Sequence, residues 1–162
     1  CERIARKAWG HSFPIQNYTR GGKSMRGKDF ALYVNTTDDA EFPTFEKVAG
    51  QRGGTLNRSS EGIDITTKDN SGWTDEDYGS NSWGVDLDGV IPENQAAYER
   101  LEEAWLNQEF VLVQWRTPTR KAYQGLARIE DFPEEAPYDD TATYSLTLVG
   151  KGKPEIIPEV TA

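Results

Sequence analysis

From Lys28 onward the chain begins to alternate. Phe30, Leu32 and Val34 are interleaved with Ala31, Tyr33 and Asn35, the two-residue period of a half-buried strand, and the polar stretch Asn35 to Asp39 ends it as a turn. Phe45 to Asn57 carries short apolar beats broken by Gly50, Gly53 and Gly54, which fit two strands or one bulged strand equally. Ile63 and Ile65 against Asp64 and Thr66 predict a strand over Glu61 to Thr67 with one wet face, and Trp83, Val85 and Leu87 against Gly84, Asp86 and Asp88 predict another. The segment between them, Lys68 to Ser82, reads as a long loop. Loops of this length inside a compact domain are usually functional or disordered, and Trp73 and Tyr78 weigh against disorder.

One segment has helical spacing. Ala97, Leu101, Ala104 and Trp105 form an apolar stripe among Glu93, Glu99, Arg100, Glu102 and Glu103, predicting a helix from Pro92, suited to the first helical position, to about Asn107. Phe110 to Arg116 is apolar on both faces, and Thr117 to Arg120 turns it into an alternating run at Tyr123, Gly125, Ala127 and Ile129, a hairpin pattern. After an acidic, proline-rich turn, Thr143 to Val149 predicts a last strand with Tyr144, Leu146 and Leu148 on one face. Six to eight strands and one helix make a mainly β protein, an antiparallel β-sandwich or open barrel with one flanking α-helix. The expected division is an N-terminal arm over residues 1–27, a β-domain over 28–154 and a C-terminal tail over 155–162.

Composition supports one globular domain. The 162 residues are 36% hydrophobic and 28% charged, with a mean hydropathy of -0.74, and five Trp, seven Tyr and six Phe supply bulk for a core. No run approaches the ~20 apolar residues of a membrane span, and the first residues lack the apolar stretch of a signal peptide, so no membrane association is expected. A start at Cys1 admits a processed, lipid-modified terminus as the alternative.

Charge is unevenly spread. Residues 1–28 hold seven basic side chains, among them Arg3, Arg6 and Lys7, against Glu2 alone, while the rest of the chain holds 11 basic and 26 acidic residues within a net charge of -9. A basic arm on an acidic body could bind nucleic acid or dock on the acidic surface of the same or a neighbouring subunit. The body itself repels a nucleic-acid backbone.

Catalytic and metal chemistry find little support. One cysteine and one histidine exclude an internal disulfide and any Cys/His zinc site, and triad catalysis would have to run through His11 in a polar segment without a scaffold. Gly22-Lys23-Ser24 lacks the earlier glycine of a phosphate loop, because Asn17 stands there. Asp86-Leu87-Asp88-Gly89 and the acids Asp69, Asp75, Glu76 and Asp77 match no calcium-loop spacing. Three Asn-x-Ser/Thr triplets are expected by chance. No catalytic residue, cofactor or metal ligand is therefore expected, and a hydrolase using two carboxylates is disfavoured because no two acids stand out.

An ordered run of short pieces is more informative than any single site. Ile63-Asp64-Ile65-Thr66-Thr67-Lys68-Asp69 leads to Gly72-Trp73, then come Trp83-Gly84-Val85-Asp86-Leu87-Asp88-Gly89-Val90, a helix, Tyr123-Gln124-Gly125, and Tyr144-Ser145-Leu146-Thr147-Leu148 followed by Gly150 and Gly152. In order and spacing, residues 28–154 resemble the major tail tube proteins of long-tailed bacteriophages, and the tail proteins of gene transfer agents look similar. The resemblance implies a structural virion protein, six copies to a ring, rings stacked into a hollow tube, and a lumen through which DNA passes without specific binding. It implies self-association, a tape-measure protein, tail terminator and baseplate or distal tail proteins as partners, and a place in the virion tail after assembly in the host cytoplasm. A non-contractile tail is the expectation. Contacts between subunits or rings are then expected at Lys68, Asp69, Trp73 and Tyr78 and, through the arm, at Arg3, Arg6 and Lys7. The alternative is a β-sandwich carbohydrate-binding or adhesive module on a virion or cell surface, with exposed Trp and Tyr as the ligand platform.

Overall fold

The computed structural model describes residues 24–37, 41–70 and 72–160. Residues 1–23 of the basic arm, with Arg3, Arg6, Lys7 and His11, lie outside the described residues. The strands are β1 (Ala31–Asn35), β2 (Phe45–Lys47), β3 (Gln51–Asp64), β4 (Glu76–Val90), β5 (Val111–Arg116), β6 (Ala122–Asp131), β7 (Glu134–Glu135) and β8 (Thr143–Ile157), with helix α1 (Ala96–Asn107) between β4 and β5. All pairings are antiparallel, and the order β2-β1-β5-β6-β8-β4-β3 makes one sheet, with β7 beside β8.

The sheet curls until its ends meet. The Gln51 side chain at the start of β3 accepts from Leu32 N–H of β1 at 3.0 Å and donates to Leu32 O at 2.8 Å and Val48 O at 2.6 Å. One amide thus mimics a strand ladder and closes an open barrel at that end. The alternating positions point inward as their period requires: Leu32, Val34, Val85, Leu87, Val111, Val113, Leu146 and Leu148 are all buried.

Helix α1 plugs the barrel. Ala97, Tyr98, Leu101 and Ala104 are buried in the same core, where Tyr98, Phe132 and Tyr144 form an aromatic triangle with centroids 5.3 to 6.1 Å apart. The helix begins four residues later than Pro92 predicts. Asn94 takes a left-handed turn, and extended Gln95 spends its side chain on the β2–β3 turn, accepting from Ala49 N–H and donating to Lys47 O, both at 2.6 Å. Trp105, expected in the buried stripe, is 54% exposed; Tyr98 takes the interior place.

Two further boundaries differ from expectation. Phe45 to Asn57 holds two strands, one of the two readings left open, but β3 runs on to Asp64 and takes in the strand predicted separately from Glu61. Strand β8 continues through Ile157, which pairs with Ala122, and Val160 N–H donates to Arg120 O at 2.9 Å, so the expected tail at 155–162 begins as strand. The stretch of β8 leading into it, Gly150 to Pro154, has no alternation to reveal it.

The most exacting packing is at Trp83. Its indole lies on Gly125 of β6 and Gly150 of β8, where an added Cβ would come within 2.5 and 2.0 Å of the ring. Trp83 Nε1 donates to Gly152 O at 2.8 Å, so the ring cannot simply swing away. We predict that Gly150→Ala and Gly125→Ala each cost ~1–3 kcal/mol in urea unfolding, the usual cost of overpacking, with Gly150→Ala the worse. Burial also pushes the Tyr144 phenol up to about 12 and the Tyr98 phenol, which donates to Glu134, further up. Above pH 10 the unfolded chain gives up these protons more readily than the folded one, so stability falls as pH rises from about 10 towards 12. Tyr144→Phe should flatten part of that slope in urea titrations across the range.

Candidate assembly surfaces

Strands β4 and β8 run together only from Val90↔Thr143 to Gly84↔Val149. Beyond that point β8 continues against β6, while β4 continues against β3. Trp83 sits at the fork. Between Leu126↔Lys151 and Gln124↔Glu155, β6 advances by one residue, Gly125, while β8 uses Gly152, Lys153 and Pro154. Gly152 adopts φ +69, a left-handed conformation that suits glycine, and its carbonyl is the one Trp83 holds. The bulge bends β8 away and opens a cleft of about 600 Å³, lined by Arg58, Ser60, Asn81, Trp83, Lys153 and Pro154 among others.

Past the fork, residues 57–64 and 76–82 form a two-stranded arm. At ~3.3 Å per residue the β3 side alone extends about 25 Å, and nothing beneath it buries either face: every residue from Asn57 to Asp64 is exposed. Ile63 and Tyr78 are 53% and 83% exposed and stand on opposite faces, since Ile63 pairs with Asp77 and Tyr78 with Gly62. The expected single wet face is therefore two wet faces. The outer edge of β3 has no partner strand along its 14 residues among the described residues.

The tip is tied by short polar bonds. Ile65 N–H donates to Asp75 O at 3.0 Å, Thr66 N–H to Asp64 Oδ1 at 2.8 Å, and Asp75 N–H to Thr66 Oγ1 at 2.9 Å. Thr66, through its hydroxyl first and its amide second, holds the Asp64 carboxyl below its ordinary pKa. A turn of 3-10 helix, Lys68–Asn70, crosses the tip, and Trp73 is 79% exposed beyond it. Lys68, Asp69, Trp73 and Tyr78 all lie on this arm, but the expected loop to Ser82 is strand from Glu76 onward. Residues 61–78 also carry six acids against Lys68 alone.

A second exposed apolar region lies at the end of α1. Trp105 and Leu106, 54% and 72% exposed, form a ridge at the end of α1 with Phe110 nearby at 45%. Helical spacing places Trp105 inside, whereas Leu106 falls off the stripe and is the one sequence sign of an uncovered face. Among the described residues, no group of three or more His, Cys, Asp or Glu side chains could hold a metal ion, and no helix is long and apolar enough to cross a membrane.

A family model for the phage tail tube protein matches residues 24–156. The chain belongs to the phage tail tube protein family. It is a structural tail tube protein. The fold is similar to that of the tail of an empty gene transfer agent particle, reconstructed with C6 symmetry, at TM-score 0.74 and 22% identity over 83% of this chain and 99% of that one. It is also similar to the SPP1 tail tube, at TM-score 0.65 and 15% identity over 83% and 82%. An extracellular contractile injection system, in its extended sheath-tube complex, gives TM-score 0.52 and 14% identity over 85% and 92%. At such identities these likenesses carry the fold alone. No curated protein matches the sequence.

The tip bonds of this tail tube protein are local, so Asp64→Ala should loosen them without touching the barrel. We predict amide exchange at Ile65, Thr66 and Asp75 roughly tenfold faster, as expected for a lost bond worth about 1–1.5 kcal/mol. The urea midpoint should not move.

Proposed function

We propose that six copies of this chain close into a ring, and that rings stack into a tube conducting DNA and housing a tape-measure protein during genome ejection. The observation that carries this reading is the β3–β4 arm. It is a long hairpin with both faces wet, apolar side chains on each face and an unpaired outer edge, arranged for burial against further copies rather than in water. A two-stranded ribbon is marginal by itself, and an exposed edge strand invites pairing. Closing edges around a ring removes them. The C6 symmetry of the gene transfer agent tail supports six as the number.

The arm then contacts neighbouring subunits or rings through Lys68, Asp69, Trp73 and Tyr78, with the aromatic pair as anchors. The net charge of -9 favours a lumen that does not grip the DNA backbone. The baseplate of a similar anti-feeding prophage structure supports distal tail proteins as end partners, and the similar sheath/tube terminator of an extracellular contractile injection system supports a tail terminator. The chain would act in the tail of a virion, of the non-contractile kind, after assembly in the host cytoplasm, and without catalytic activity.

Negative-stain electron microscopy of the concentrated protein tests the reading, with six-fold rings or stacked tubes as the expected result. A chain that stays monomeric with its tail partners present would overturn it. Trp73→Ala combined with Tyr78→Ala should shorten tubes and lower their yield while leaving the monomer's circular dichroism unchanged; unchanged tube length would remove the arm's anchoring role.

A further inference from the structure

The ridge of Trp105 and Leu106 separates two surface hollows. One, of about 480 Å³, is lined by Ala104, Glu109, Phe110, Arg128 and Ile129 with the ridge itself. The other, of about 410 Å³, is closed by Glu102, Phe132 and Glu134. Segments 99–109 and 128–135, which frame both, hold eight acids against Arg100 and Arg128. Both arginines are engaged locally, Arg100 with Glu109 at 3.0 Å and Arg128 with Glu130 at 3.2 Å. The surface is thus an apolar ridge with receiving hollows inside an acidic rim, which asks for a basic segment with large apolar side chains.

The chain carries such a segment. Residues 1–23 hold Arg3, Arg6, Lys7, Arg20 and Lys23 against Glu2, together with Trp9, Phe13 and Tyr18. They precede the part matched by the family model, which begins at residue 24. We propose that residues 1–23 of this chain dock on the Trp105–Leu106 ridge, with aromatic side chains in the two hollows and basic ones on the acidic rim.

Reach permits it. Ala31 pairs with Arg116 at one end of β5 and the ridge adjoins Val111 at the other, ~17 Å along the strand. Twenty-three residues span up to ~76–83 Å. The other hollows suit this occupant less well, because each is lined by cations and by no acid: Arg58 and Lys153 in the cleft at the fork, Lys28, Lys47 and Arg52 in the hollow between β1 and β3, and Arg58 in the hollow beside Met25 and Tyr123. The inference does not depend on ring formation, because the donor can be the same copy or its neighbour.

Photocrosslinking the full chain tests the docking. With benzoylphenylalanine in place of Trp9, adducts should map to residues 102–110 and 128–135, and their mass tells whether the donor is the same copy or another. Leu106→Glu alters an exposed side chain, so the fold should hold, and it should lower adduct yield at least fivefold; Glu102→Lys should lower it as well. Raising the salt concentration should weaken the docking, as expected for charges at an exposed rim. Adducts concentrated on residues 61–78 or spread over the surface would overturn the proposal. So would yields indifferent to both substitutions, or a second copy's body covering the ridge in chains lacking residues 1–23.

Discussion

The contact of Trp83 with two glycines governs where this molecule stops being a barrel and becomes an arm. An indole flat on Gly125 and Gly150 spans β4, β8 and β6 at the point where β4 leaves β8. Its Nε1–H takes the carbonyl of Gly152, inside the bulge that bends β8 away. The aromatic ring therefore seals the core at the site where backbone pairing is given up. Without it the barrel would open onto water at the fork. Beyond it, neither strand segment has a strand partner among the described residues on the side that faced the other.

Closure at the other end uses a different device. There Gln51 stands in for a missing strand pair between β1 and β3, and Gln95 ties the helix start to the adjoining turn. These half-buried amides are tolerated because each polar group finds a partner. Asn35 works in the same way, accepting from Thr37 N–H and Thr44 N–H while donating to Thr37 O, which holds the start and end of the β1–β2 connection together. A rigid, plugged barrel results, and an arm fixed to it at one end can hold a defined direction.

What could be read from the sequence follows from what this chain buries by itself. Leu32, Val34, Val85, Leu87, Leu146 and Leu148 alternate because one face of each strand meets the core, and periodicity located all of these strands. The second strand of the arm escaped such reading. From Glu76 to Ser82 it is wet on both faces, so it has loop composition and strand geometry together. Residues 150–157 escaped for a related reason: glycines that make room for Trp83 and a proline at a bulge do not alternate. The helix start was displaced by Gln95, whose side chain serves the β2–β3 turn, a tertiary demand that no capping rule anticipates. The aromatic residues of the arm were visible, but the pairing that presents them was not.

These misread segments share a physical property. A strand with no buried face in the isolated chain gains stability only from what it later meets, so its sequence answers to a partner surface rather than to its own core. In the proposed ring, the open edge of β3 and the wet faces of the arm become interior, and the acids along residues 61–78 must then find counter-charges or water on the next copy. Lys121, Arg58 and Lys153 near the fork are candidates of the right sign, and Arg58 and Lys121 already lean on the Tyr123 ring at 5.5 and 5.1 Å. A head-to-tail contact between an acidic arm and a basic cleft on the next copy joins two different surfaces of the same chain. Such contacts close into rings when the rotation per copy divides a full turn and run on as filaments when it does not. A tube of stacked rings needs both behaviours, rotation within a ring and translation between rings. A stiff arm with apolar side chains on both faces can supply them by meeting one neighbour on each face.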